Sequence, residues 1–163
     1  MAEAGGSLRQ VTKECEEFLE RLRAHFKYLF AEHGFQAVAT DGDRVGEHCL
    51  VVLQSSRFRI RFVVNQGRVE AALGTLSSPP TWEDRAAGEV VWFSMREVCE
   101  FLRGNPRQSP KDLRELGNRL FKMSADEYLE WLSELLRPVM DKASQLFGGD
   151  VGGRAKFLEY YGS

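Results

Sequence analysis

The spacing of apolar residues predicts a long amphipathic helix near the N-terminus. From about Leu8 to His33 they recur every three or four residues, which places them on one face of a helix. These apolar residues are Val11, Cys15, Phe18, Leu19, Leu22, Phe26, Leu29 and Phe30. Ser7 and Gln10 have the spacing of a capping box, and Gly34 suits a helix end.

Further along the chain, the apolar spacing changes to every second residue, which predicts β-strands. A short candidate strand, FQAVAT, comes first, and three strands joined by two-residue turns follow it. The three strands cover about 47–54, 57–65 and 68–76, with turns at Ser55-Ser56 and Gln66-Gly67.

These turns fix an expected register between neighbouring strands. The second turn pairs Asn65 with Arg68, and the first pairs Gln54 with Arg57. One face of the sheet then carries Cys49, Val51, Leu53, Phe58, Ile60, Phe62, Val64, Val69, Ala71 and Leu73. A slip of one residue would turn a whole strand over, so this agreement supports an antiparallel meander. We expect the N-terminal helix to cover its apolar face.

The rest of the chain is expected to be mainly helical. SSPPTWEDRAAG is typical of a loop, and EVVWF of a short strand. Helices are expected to begin at Ser94 (with Glu97 in a capping box), Ser109 and Ser124. The middle helix has its apolar positions at Leu113, Leu116, Leu120 and Phe121. Pro138 should kink or restart the last helix.

Strands followed by helices indicate an α+β fold. We expect a long N-terminal helix, an antiparallel meander of four to five strands and C-terminal helices. One domain should span 1–147, with the sheet at about 35–93 and the C-terminal helical part at about 94–147. Those helices could pack at a sheet edge or on its second face, or mediate dimerisation. Residues 148–163 are expected to form a Gly-rich linker and an aromatic tail.

The composition fits a soluble globular protein. The 163 residues are 43% hydrophobic and carry a net charge of −2. No apolar run approaches the roughly 18 residues of a membrane span, and the N-terminus lacks the pattern of a signal peptide, so we expect a cytoplasmic protein without membrane contact. Cys15, Cys49 and Cys99 are odd in number and widely spaced, which predicts buried hydrophobic residues and argues against a disulfide framework.

Motifs for catalysis, metals and phosphates are not found. Cys99 with His48, or Cys49 with His25, would make a thiol–imidazole pair, but both cysteines occupy predicted core positions. The segment GGDVGGRA has the glycine spacing of a P-loop, but Arg and Ala replace its essential Lys and Ser/Thr. The carboxylates of Glu47, Glu70, Glu83 and Asp84 offer no acid–base assignment. We expect no metal, cofactor or catalytic residue, although the sequence leaves an enzyme of unknown class open.

Arg57, Arg59 and Arg61 recur at every second residue, opposite the apolar face. Leu50, Val52 and Val63 share this second face, so it is more apolar than a fully solvated surface. Three interpretations stay open: a face that is solvated or covered by the protein itself, a protein-binding surface, or a weak nucleic-acid site. A sequence pI of about 6.0 disfavours the last of these.

Three segments together resemble a group of small bacterial cytoplasmic proteins, most of them uncharacterised. They are FAEHGF, VVLQSSRFRIRFVVNQGRVEAALGTL and WFSMREVCEFL, within about residues 18–103. Some members of such groups look like immunity proteins of toxin systems or like secretion chaperones. The resemblance implies an α+β fold and protein binding, and it transfers no catalytic residue.

The sequence therefore favours a non-catalytic protein-binding module, immunity-like or chaperone-like. The predicted contact residues are Arg57, Arg59 and Arg61 on the sheet and Phe157, Tyr160 and Tyr161 in the tail. The partner is expected to be another protein or a second copy of the chain. The alternatives are an enzyme of unknown class and a weak nucleic-acid binder that uses the arginine face.

Overall fold

The computed structural model describes the backbone of residues 2–42 and 48–162, with side chains at 13, 15–42 and 48–162. The helices are α1 (Ala2–His25), α2 (Lys27–Ala31), α3 (Met95–Leu102), α4 (Pro110–Phe121), α5 (Ala125–Leu136), α6 (Met140–Phe147) and α7 (Val151–Gly162). The strands are β1 (Gln36–Gly42), β2 (His48–Gln54), β3 (Arg59–Asn65), β4 (Arg68–Gly74), β5 (Arg85–Ala86), β6 (Glu89–Val90) and β7 (Phe93–Ser94). The predicted α+β class is confirmed.

The main sheet is antiparallel, with strand order β1-β2-β3-β4-β7. Its β3–β4 register is the predicted one, because Asn65 pairs with Arg68. Gln66 and Gly67 in the turn both have positive φ, as a two-residue type I′ hairpin requires.

The β2–β3 register differs from the prediction by two residues, since Gln54 pairs with Arg59 instead of Arg57. The reason is a longer turn held by Ser55. The Ser55 backbone N–H donates to the Phe58 carbonyl at 3.0 Å, and the Ser55 hydroxyl oxygen accepts from the Arg57 and Phe58 backbone N–H groups. An even shift leaves every side chain on its predicted face.

The main hydrophobic core lies between the helices and the predicted apolar face of the sheet. α1 covers this face as expected, and the Phe26 and Phe62 rings meet edge to face with centres 5.1 Å apart. The C-terminal helices contribute to the same core through residues such as Leu129, Val139 and Phe147. They therefore pack on the side of the sheet that α1 occupies, not on its second face.

The predicted single N-terminal helix is interrupted at Phe26. The Ser133 hydroxyl donates to the His25 carbonyl at 2.6 Å, and this carbonyl would otherwise accept the i+4 bond from Leu29. The Leu29 N–H bonds to the Phe26 carbonyl instead, at 2.9 Å. A hydrogen bond from α5 thus accompanies the break between α1 and α2.

The helix starts predicted at Ser94, Ser109 and Ser124 are all found. Ser109 and Ser124 each form a full capping box, at the beginning of α4 and α5. Ser94 precedes α3 but makes no side-chain capping bond, so the capping box predicted there is wrong. The helix restarts at Pro138 as predicted, because a 3₁₀ turn at Arg137–Val139 separates α5 from α6.

The structure corrects the expectation about disulfides. Cys15 in α1 is bonded to Cys49 in β2, which ties the first helix to the sheet. Both residues are buried, as expected for core positions. Sequence spacing does not report spatial proximity, and α1 places Cys15 directly over the apolar face that carries Cys49.

Two segments differ from their predicted structure. EVVWF is not one strand, because β6 pairs with β5 in a small hairpin and β7 pairs with β4. Where a Gly-rich linker and tail were expected at 148–163, the helix α7 is found. The Asp150 carboxylate accepts from the Gly153 N–H at 2.9 Å and so supports the beginning of this helix.

Candidate functional site

The second face of the sheet is covered by the protein's own chain, by residues 75–92, which we call the covering segment. A second apolar cluster lies beneath it, formed by Leu50, Val52, Val63, Ala72 and Trp92. Trp92 belongs to the covering segment, and the Trp92 indole N–H donates to the Pro79 carbonyl at 2.9 Å. The covering segment thus shields the aliphatic residues of the arginine face from water.

Arg61 fastens the covering segment to the sheet. Nη1 of Arg61 donates to the carbonyls of Thr81 at 3.2 Å and Glu83 at 3.1 Å, and Nη2 donates to the Asp84 carboxylate. The guanidinium also lies over the Trp92 ring, 5.1 Å from its centre. Arg61 is only 7% exposed, so its charge has lost most of its contact with water. These hydrogen bonds compensate for that loss.

Arg59 makes a second, more open attachment. Its Nε donates to Gln54 Oε1 at 2.7 Å and its Nη1 to the Ser78 carbonyl at 2.5 Å. The Ser78 hydroxyl in turn donates to the Val91 carbonyl at 2.7 Å, which draws the two ends of the covering segment together.

The three arginines therefore have three different environments. Arg61 is buried, Arg59 is half-buried, and Arg57 is exposed in the β2–β3 turn, outside the strand. Arg61 is not accessible to a partner in this structure. Contact through Arg57 and Arg59 stays a prediction.

Two clefts of about 470 and 400 Å³ lie beside Arg61. Both are lined by Arg61, Val63, Glu70 and Asp84, so charges of both signs face them. Of the carboxylates considered from the sequence, Asp84 forms an ion pair with Arg61. The backbone carbonyl of Glu83 accepts a hydrogen bond from the same guanidinium. Glu47 lies outside the described residues.

The proposed thiol–imidazole pairs do not form. His48 lies at the end of β2 next to Trp82, with ring centres 6.3 Å apart, whereas Cys99 is buried in the helix-side core. Burial raises the pKa of the Cys99 thiol to about 12, which disfavours the reactive thiolate. In the second pair, Cys49 is bonded to Cys15.

His25 joins α1 to α5 instead. Its Nδ1 lies 2.7 Å from Glu130 Oε2, and its Nε2 lies 3.1 Å from Asp126 Oδ1, which Arg21 also contacts. Burial alone would lower the pKa of His25, but its hydrogen bonds to Glu130 and Asp126 raise it above 6.5. The same contact lowers the pKa of Asp126. This cluster is a structural connection between helices.

Metal and membrane sites are not apparent in the described parts of the chain. Among the side chains described, at 13, 15–42 and 48–162, no group of three or more from His, Cys, Asp or Glu could hold a metal ion. None of the helices in those ranges has the length and apolar character needed to cross a membrane.

The aromatic tail packs on its own domain through α7. Phe157 is fully buried, and its ring meets those of Phe93 and Phe101, each with centres 5.2 Å apart. Tyr160 and Tyr161 are half-buried, and their carbonyls accept hydrogen bonds from Nη1 of Arg107. Phe157 is thus not accessible to a partner in this structure, and contact through Tyr160 and Tyr161 stays a prediction.

Among the side chains that the structure describes, those of α4 form a poorly protected apolar surface. No residue of α4 is buried, although its apolar positions have helical spacing. These positions are Leu113, Leu116, Leu120 and Phe121. Phe121 is 73% exposed and Leu113 is 38% exposed.

A groove of about 390 Å³ separates α4 from the β3–β4 turn. Leu120 and Phe121 line one side, and Arg68 and Val69 line the other. The Arg68 guanidinium lies over the Phe121 ring, 5.1 Å from its centre. An aromatic ring, aliphatic side chains and an exposed arginine thus lie together, which is a common composition at the centre of protein interfaces.

Sequence reasoning identified the apolar residues of α4 but not their exposure. A helical stripe looks the same in the sequence whether it faces the protein's own core or a partner. A signal present in the sequence was the polar linker at 103–109, which separates α4 from the preceding helix.

No protein family model matches this chain, and no match is found among curated proteins or among solved structures. The resemblance to small bacterial proteins therefore stays a prediction.

Proposed function

We propose that this protein is a non-catalytic protein-binding module whose contact surface is centred on α4. One observation carries the proposal: α4 presents an apolar stripe in which no residue is buried, with Leu116 and Leu120 half-buried and the stripe ending in the largely exposed Phe121. Large exposed apolar side chains that form a continuous surface are typical of interaction sites.

The structure of α4 supports a role in binding. Ser109 and Asp112 form a capping box, and Pro110 occupies the first turn. The capping box stabilises the start of α4 before any partner binds, so part of the helix is already ordered. Binding then requires little ordering of the helix, which reduces the entropic cost of association.

An immunity-like or chaperone-like role belongs to the same proposal, as does a bacterial, cytoplasmic setting. These finer points rest on the resemblance of residues 18–103 to small bacterial proteins. The Cys15–Cys49 bond is an observation against a reducing compartment, where disulfides are rare. Whether these two cysteines are bonded or reduced in cells would decide between an oxidising compartment and the cytoplasm.

Photo-crosslinking tests the proposed surface. A photoreactive residue at Phe121 should give a discrete protein adduct, with a second copy or with another protein, in an extract of the source organism. The matched control is Leu158 in α7, an apolar residue that is 48% exposed but lies outside the α4 stripe. Equal adducts from both positions, or none from Phe121, would contradict the proposal.

A further inference from the structure

We infer that the partner of α4 is α4 of a second copy of this chain, packed antiparallel about a two-fold axis. This inference rests on the proposed function, since it names the partner of the same surface. It depends on the shape of the stripe and on the positions of two charges beside it.

The stripe on α4 is narrow, and near its middle lies a glycine, which has no side chain. Leu113, Leu116 and Leu120 are three and four residues apart, so they lie along one side of the helix. Gly117 lies on the same side, and a Cβ built there would meet nothing within 4 Å. An exposed glycine within a helix costs about 1 kcal/mol relative to alanine, and here it leaves room for a second backbone to approach.

Two opposite charges flank the stripe on one side. Asp112 and Arg119 are seven residues apart, or about two helical turns, and both are exposed. They are near the two ends of α4. In an antiparallel pair centred between residues 115 and 116, Asp112 faces Arg119 of the second copy, and the two-fold axis repeats this contact.

Other arrangements lack this complementarity. In a parallel pair each flank of the stripe faces the opposite flank of the second copy, so Asp112 and Arg119 would not face each other and would lack this pairing. A uniformly acidic peptide would be attracted by Arg119 but repelled by Asp112. The alternation of sign along this flank therefore favours the antiparallel second copy.

The expected association is weak. A helix of twelve residues is about 18 Å long, and one such contact covers less than the roughly 800 Å² per partner of a standard interface. We expect a dissociation constant in the micromolar range, on the order of 10–100 μM, so that dimerisation depends on concentration.

Sedimentation velocity with charge-reversed variants tests the inference. Arg119→Asp alone and Asp112→Arg alone should each weaken dimerisation by at least about tenfold, because each places like charges opposite one another. An equimolar mixture of the two variants should recover the dimer, since every contact is then between opposite charges. Asp112→Arg also removes the carboxylate that accepts from the Ser109 N–H in the capping box, so recovery in the mixture is needed to show that this variant has not simply lost the start of α4.

Matched controls use charges on the far side of α4. Lys111→Asp and Glu115→Arg change the net charge by the same amounts as the two test variants but lie away from the stripe. Both should dimerise as the wild type does. Equal loss in these controls would overturn the specific pairing.

The inference is overturned if the wild-type chain stays monomeric at roughly 0.5 mM, where even a millimolar dissociation constant leaves a detectable dimer. It is also overturned by a dimer that both charge-reversed variants leave unchanged. If the pure chain is monomeric but Phe121 still forms an adduct with a different protein, the proposed function stands and only the second-copy partner fails. If Phe121 forms no specific adduct, the proposed function fails as well.

Discussion

The Arg61 guanidinium lies over the Trp92 ring, 5.1 Å from its centre, and donates hydrogen bonds to Thr81, Glu83 and Asp84. One side chain of β3 thus binds the covering segment at both its middle and its end. The arginine face is therefore not simply a contact surface, because Arg61, its buried member, stabilises the fold.

Replacing Arg61 by Ala should destabilise the protein by about 2–3 kcal/mol, because several charge-assisted hydrogen bonds are lost from a buried site. The Asp84 carboxylate is largely exposed, so water can solvate it once the arginine is gone, and this limits the cost. Urea denaturation measures the change. Limited proteolysis should also cut the covering segment faster in the variant. The exposed Arg57→Ala is the control and should change stability by less than about 0.5 kcal/mol.

Stability should depend on pH through His25. Its pKa is raised in the folded protein, so the stabilisation is complete below the unfolded value of 6.5 and is lost as pH rises through the folded pKa. At the acid end, the lowered pKa of Asp126 has the opposite effect, and its contribution is lost as pH falls below 3.8. Urea denaturation between pH 6 and 8 should show the first effect. His25→Gln should flatten the curve there.

Cleaving the Cys15–Cys49 bond should lower stability markedly. The bond spans 34 residues, and closing a loop of that length stabilises a fold by about 3–4 kcal/mol in the chain-entropy estimate. Denaturation with and without a reductant measures the loss. The double variant Cys15→Ala with Cys49→Ala should show the same loss and no longer respond to the reductant.

Cys99 should be the one thiol left to titrate in the oxidised protein. It is fully buried, and its pKa is raised to about 12, so alkylation at pH 8 should be slow until the protein unfolds. Mass spectrometry after alkylation in native buffer and in denaturant checks both points. Rapid labelling of three thiols in native buffer would contradict the bonded pair.

Docking of α7 should depend on Phe157. Removing this buried ring by Phe157→Ala should cost about 3–5 kcal/mol, since it leaves a cavity among aromatic side chains. Leu158→Ala is the matched control on the same helix, where an exposed side chain should matter by less than about 0.5 kcal/mol. Similar stability losses in the two variants would show that α7 is not docked through Phe157.

The sequence by itself determined which side chains share each face of the sheet. Side chains of a strand alternate with a period of two, so apolar alternation alone placed Phe58, Ile60 and Phe62 together. Local chemistry also determined the starts of α4 and α5, because a capping box involves only residues that are close in sequence.

The tertiary structure decided everything that depends on segments far apart in the chain. The covering of Arg61 by residues 75–92, the bond between Cys15 and Cys49, and the docking of Phe157 join distant positions, and no local period encodes such contacts. The exposure of Phe121 is of the same kind. An apolar helical stripe predicts a surface that can be buried, but only the packing of the whole domain shows that the stripe of α4 is left without cover.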